Sequence, residues 1–171
     1  MRSRKAFLVL LGAAMVMVAA AVWVSRQSAD ESLSTRGLHL PGLGSQLDAV
    51  QTVEIRTAGD ELRLERGDAG WVASNRDDYP ANAGRIRQLA LGLSRLERLE
   101  RKTANPERLH RLELRSLDEP GSRAVRVTLR TADGEALADV LVGKTQDFQQ
   151  EGRSRYFVRD AGDPQSWLVE G

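Results

Sequence analysis

From Ala6 to Val24 the chain runs for 19 residues without a charge, AFLVLLGAAMVMVAAAVWV. A segment that is apolar on every face has no side to offer to water, so it does not read as an ordinary surface helix. At about 1.5 Å per residue it would form roughly 28 Å of helix, close to the ~30 Å hydrocarbon core of a bilayer. Arg2, Arg4 and Lys5 precede it, and only Arg26 follows before Asp30 and Glu31. The positive-inside rule then places the N-terminus in the cytoplasm and the remainder on the far side, with Trp23 at an interfacial position. The reading is a single-pass transmembrane helix that contacts lipid through residues 6–24.

A cleaved signal peptide is the rival reading. The basic start fits it, and Ala19-Ala20-Ala21 offers a small-x-small cleavage site. The uncharged stretch exceeds the roughly 7–15 residues of a signal-peptide apolar region and continues through Val22-Trp23-Val24, which favours a retained anchor. Both readings export the remainder of the chain.

The formal net charge of +1 conceals an asymmetry. Removing Arg2, Arg4, Lys5 and Arg26 leaves 25 − 4 = 21 basic against 24 acidic residues, about −3 for the exported part. A dedicated nucleic-acid binder carries a basic excess, so that class is set aside. Arginine far outnumbers lysine, as in GC-rich bacterial genomes, and a bacterial inner membrane with a periplasmic domain is the expected location. The chain has no cysteine, which excludes disulfides, thiol catalysis, lipoprotein acylation and zinc–thiolate sites. Apolar content of 41% argues against wholesale disorder.

Residues 1–26 thus read as a cytoplasmic tip and anchor, 27–44 as a polar tether, and 45–171 as an extracytoplasmic domain. Within that domain Val50–Thr57 and Glu61–Arg66 alternate apolar and polar residues across the Ala58-Gly59-Asp60 turn, which is a β-hairpin signature. Trp71–Ala73 reads as a third strand. Asn82 is placed to cap a helix whose apolar stripe is Ile86, Leu89, Ala90, Leu93 and Leu96. Leu99–Thr103 reads as extended, and Pro106–Leu112 as a short second helix with proline in its first turn. Arg123–Thr131 and Ala136–Val142 form a second hairpin, and Arg155–Arg159 and Ser166–Val169 the last strands. The fold class expected is α+β: an N-terminal transmembrane helix, then a hairpin-rich antiparallel sheet packed with one main amphipathic helix and a short second one. Val53–Glu61 also echoes Val127–Glu135 (VEIRTAGDE against VTLRTADGE), either as a duplicated hairpin or as convergent turn chemistry.

The chemistry-bearing residues are few. Val142-Gly143-Lys144-Thr145 ends like a phosphate-binding loop, but the position needing the first glycine is Ala138 and no helix is expected to follow, so it reads as a strand end. His39 and His110 lie far apart in sequence and outside any ligand-spaced cluster. Asp77-Asp78 reads as solvated loop charge rather than a paired-carboxylate site. Between Arg85 and Arg115 there are nine basic and four acidic residues. That excess reads as a solvated helix face, or alternatively as a surface for anionic lipid headgroups or an acidic partner. Trp71 and Trp167 read as core or sheet-edge anchors. No catalytic, cofactor-binding or metal residue is assigned.

In order along the chain stand a basic start with one apolar segment, Leu40-Pro41-Gly42-Leu43, and a strand with Val50, Val53 and Ile55. Gly70-Trp71-Val72, Tyr79-Pro80-Ala81-Asn82, Thr103-Ala104-Asn105-Pro106, Val142-Gly143-Lys144 and Tyr156-Phe157-Val158 come next. Over nearly the whole chain this series resembles the bacterial DUF4340 family, which typically has Asp where this chain has Asn82. Family members generally run on past the strand that resembles Ser166–Val169, so Gly171 is read as an early end or a cut. The resemblance implies a membrane-anchored extracytoplasmic protein, often found alongside components of a gliding-motility-type ABC transporter, and it transfers no catalytic residue. The function expected is a non-enzymatic accessory subunit of an inner-membrane complex, with that transporter as a candidate partner. The alternative is a binding or sensor module for a small molecule or envelope polymer.

Overall fold

A computed structural model describes residues 37–150 and 153–171, with side chains not described for 147–150. The strands are β1 (Gly37–Leu38), β2 (Thr52–Arg56), β3 (Glu61–Gly67), β4 (Gly70–Ala73), β5 (Tyr79–Pro80), β6 (Glu97–Arg101), β7 (Val125–Arg130), β8 (Ala136–Gln150), β9 (Arg153–Asp160) and β10 (Ser166–Glu170). They form one sheet in the order β1-β6-β10-β9-β8-β7-β2-β3-β4-β5. Every neighbouring pair is antiparallel. The outermost strands, β1 and β5, are two residues each.

Helix α1 (Ala83–Ser94) begins where the sequence places it, with the Asn82 side chain accepting from the backbone N–H of Arg85 at 3.1 Å. Its buried residues Ile86, Ala90 and Leu93 pack onto one face of the sheet with Val53, Leu64, Val127, Leu129, Val140, Val158 and Val169. Side chains alternate along a strand, so the residues next in sequence point the other way. Leu141, Phe157 and Leu168 accordingly form a second cluster on the opposite face, closed by Leu109, Leu114 and Ala124. The sheet is therefore covered on both faces along β8, β9 and β10, but by different material: a helix on one side, the irregular 105–124 segment on the other.

The α+β expectation is corrected. The described residues form a ten-stranded antiparallel sheet with a single α-helix, and the short second helix at Pro106–Leu112 is present as a 3-10 helix. Its buried Leu109 and half-buried Leu112 are three residues apart, a spacing that three residues per turn satisfies as well as 3.6 does. The expected transmembrane helix at residues 6–24 lies outside the described residues. No helix among the described residues is long and apolar enough to cross a membrane. A compact unit runs from Gly37 to Gly171, so β1, His39 and Leu43, in the stretch read as tether, belong to it.

The two segments that echo each other in sequence are neighbours in space. β2 pairs with β7 through Val53↔Leu129, Glu54↔Thr128 and Ile55↔Val127. Equating Val53 with Val127 and Ile55 with Leu129, as the echo does, makes this register its own mirror about Glu54 and Thr128. The two hairpins meet through a local two-fold axis.

Candidate functional site

Two polar regions stand out on the face opposite α1. The first grows from β6. Beyond Arg101 the chain is stitched to β10 by Ser166, which is fully buried. Its hydroxyl donates to the Thr103 carbonyl at 2.7 Å and accepts from the Thr103 N–H at 3.1 Å. Asn105 then caps the 3-10 run by accepting from Glu107 N–H at 2.9 Å, and Leu109 anchors the run in the second core cluster. With Leu109 held inside, Arg108 and Arg111 are exposed. Together with Arg101, Lys102 and Glu100 they line an open groove of about 290 Å³. Lys102 Nζ pairs with Glu100 at 2.6 Å and sits 5.9 Å from the Phe157 ring, while Arg101 Nε donates to Gln165 Oε1 at 2.7 Å. Four cations against one carboxylate make the groove basic.

The second region lies where the 105–124 cover ends and the strands β2, β7 and β8 turn polar. Arg126 grips Asp139 through two hydrogen bonds of 2.7 and 2.6 Å, and Thr128 donates to the same carboxylate at 3.1 Å. Burial alone would push the Asp139 carboxyl up, but the bonds and charge of Arg126, helped by Thr128 and Arg130, hold it below its ordinary value. The hydrogen bond to Asp139 raises the Arg126 guanidinium in turn. Glu54, almost buried, takes Arg63 at 2.7 Å and Arg130 at 3.7 Å. Beside this network Arg56, Arg126, Arg159, Ser116 and Asp118 line a cleft of about 210 Å³. Burial lowers the Arg159 guanidinium; Glu119 opposes that shift and Arg126 adds to it.

The residues singled out in sequence separate into distinct places. Gly143 and Lys144 continue β8 as strand, so no phosphate loop exists there. The glycine is needed because a Cβ would collide with the carbonyl of Leu112 and crowd the Leu114 side chain. His39 is sealed on the helix-covered face of the sheet between Arg98 and Asp160. His110 is exposed on the 3-10 run, its Nδ1 2.6 Å from the Glu107 carbonyl. Asp77 and Asp78 are exposed turn residues with φ of 54° and 52°. Trp71 and Trp167 border the main core, the latter with the Arg98 guanidinium 4.4 Å over its ring. No group of three or more potential metal ligands occurs among the described residues. The basic stretch Arg85–Arg115 is split: Arg85 and Arg87 lie on α1, Arg98 stacks on Trp167, Arg101, Lys102, Arg108 and Arg111 line the groove, and Arg115 bonds the Pro120 carbonyl.

Arg159 was missed by the sequence reading. A signal was present: it falls two residues after Phe157, on the same side of a strand whose other side is also buried. A cation at such a place is enclosed by construction.

A sequence comparison matches residues 71–171 to a protein family described as a domain of unknown function (DUF4340). No curated protein and no solved structure matches the chain.

Proposed function

This chain belongs to the DUF4340 family, and from that premise we propose that it is a non-enzymatic accessory subunit, held at a bacterial inner membrane by its apolar N-terminal segment, that docks on a membrane complex. A gliding-motility-type ABC transporter is the candidate partner, on the strength of the family resemblance.

The observation that carries this reading is the basic groove of Arg101, Lys102, Arg108 and Arg111. It continues from β6, the strand to which β1 is paired through Gly37↔Arg98 and Leu38↔Glu97. Only residues 25–36 lie between the apolar stretch and β1 in sequence. A basic surface on so short a lead is suited to an acidic patch on a neighbouring membrane protein, where charge complementarity sets encounter and register.

Crosslinking in native membranes followed by mass spectrometry tests it. The expected result is a recurrent membrane-protein partner crosslinked near Lys102, with recovery falling about tenfold in Arg108→Glu/Arg111→Glu. Repeated recovery of the chain as a lone monomer would overturn it.

A further inference from the structure

Arg159 is 5% exposed, and among the described residues every hydrogen bond it makes is to a neutral group. Its Nε donates to the Leu114 carbonyl at 2.9 Å, Nη2 to Ser116 Oγ at 3.1 Å, and Nη1 to the Asp163 carbonyl at 3.4 Å. A guanidinium has five N–H donors, so two point elsewhere. Among the described residues no carboxylate forms an ion pair with it; the carboxylates of Glu119 and Asp163 act on it only through space, and Arg126 repels it. A buried cation without a paired anion is a costly arrangement.

The walls around it differ in how much they have left to give. Arg126 commits two of its five N–H donors, and its charge, to Asp139. Arg56 is half-exposed, and among the described residues its side chain makes one ion pair, 3.4 Å to Glu61. The Ser116 hydroxyl accepts from Arg159 and keeps its own O–H to donate. At about 210 Å³, the cleft is smaller than the ~300–1,000 Å³ that encloses a drug-sized molecule. It has room for one functional group.

We infer that the cleft between β2, β7, β9 and Ser116–Asp118 binds the terminal oxyanion of a ligand, a carboxylate or a phosphate, with Arg159 and Arg56 as its cations and the Ser116 hydroxyl as a third donor. A planar guanidinium fork matches either oxyanion in a two-bond geometry. Asp118 on the same wall repels the incoming charge and keeps the affinity modest. This site does not rest on the docking role proposed above.

Calorimetric titration of the full chain in detergent with inorganic phosphate, and separately with succinate, is the test. One of the two saturates a single site, and the tighter one identifies the oxyanion. Arg56→Gln weakens that binding about fivefold and Asp118→Asn tightens it about fivefold, as removal of one charge near the ligand predicts. Arg159→Gln abolishes it; should that variant fail to fold, the opposite responses of Arg56→Gln and Asp118→Asn still decide. Absence of saturation by either anion up to about 10 mM, or equal affinity in Arg56→Gln and Asp118→Asn, overturns the inference.

Discussion

Arg98 Nε donates to His39 Nδ1 at 3.1 Å, which defines the state of a ring with no exposed side-chain surface. With Nδ1 accepting, the ring proton sits on Nε2. That nitrogen lies 3.3 Å from Asp160 Oδ1, within ion-pair distance but out of line for a hydrogen bond. His39 N–H also donates to the Leu96 carbonyl at 2.7 Å, extending the β1–β6 pairing by one rung. His39→Ala should lower stability by about 2–4 kcal/mol, from a buried void and an Arg98 donor left without its acceptor. Urea unfolding followed by tryptophan fluorescence measures it; a loss of a few tenths would refute a structural role.

Gly143→Ala should destabilise the chain by about 1–3 kcal/mol, the range for overpacking. The added methyl meets backbone at Leu112, which has less freedom to yield than a side chain, and Leu114 Cγ at 3.0 Å. Lys144→Ala, one residue on and exposed, should change stability by less than about 0.5 kcal/mol. Comparable losses in both would indicate that the lysine, not the close approach, matters here.

Asn82→Ala removes the acceptor that caps α1 and should cost about 1 kcal/mol. Asn82→Asp keeps the oxygen and adds a negative charge at the helix start, so it should equal or exceed the original by a few tenths of a kcal/mol. Thermal melts of the three proteins order them; an aspartate variant as weak as the alanine one would remove the capping account.

Asp139 gives stability a dependence on acid. Its carboxyl is held below the ordinary value in the folded chain, so as pH falls the unfolded chain takes up the proton first. The stabilisation is complete above the usual carboxylate range and disappears as pH drops through the lowered value. Glu170, lowered chiefly by its hydrogen bond to Arg155 and further by Arg153, acts in the same direction. Unfolding midpoints between about pH 6 and pH 2 should therefore fall with acid, and Asp139→Asn should flatten the curve. An unchanged slope in that variant would show that other carboxylates carry the effect.

Alternation and capping made much of the fold legible. Val53 and Ile55, Leu62 and Leu64, and Val127 and Leu129 mark the strands that form β2, β3 and β7, and Asn82 marks the helix start. β8 extends to Gln150, well beyond the expected Val142, because Lys144, Thr145 and Gln146 are exposed polar residues with no apolar–polar alternation to read. β1 and β5 are too short to leave any pattern. The clefts were hidden for a different reason. The basic excess of 85–115 is visible as composition, but only the burial of Leu109 decides which arginines share a groove. Arg56, Arg126 and Arg159 come from β2, β7 and β9, which long-range pairing brings side by side with β8 between the last two, a relation that local sequence does not contain.

The two-residue strands at the ends of the sheet carry a consequence for assembly. A strand arriving at β5 finds two rungs, one of them Pro80 with no N–H to offer; one arriving at β1 finds Gly37, with φ of 144°, and Leu38. A ten-stranded sheet would otherwise be a long template for further chains. Among the described residues the ladder is tapered at both ends, so growth by backbone addition on those rungs gains little, and recognition there is left to side chains on the broad faces.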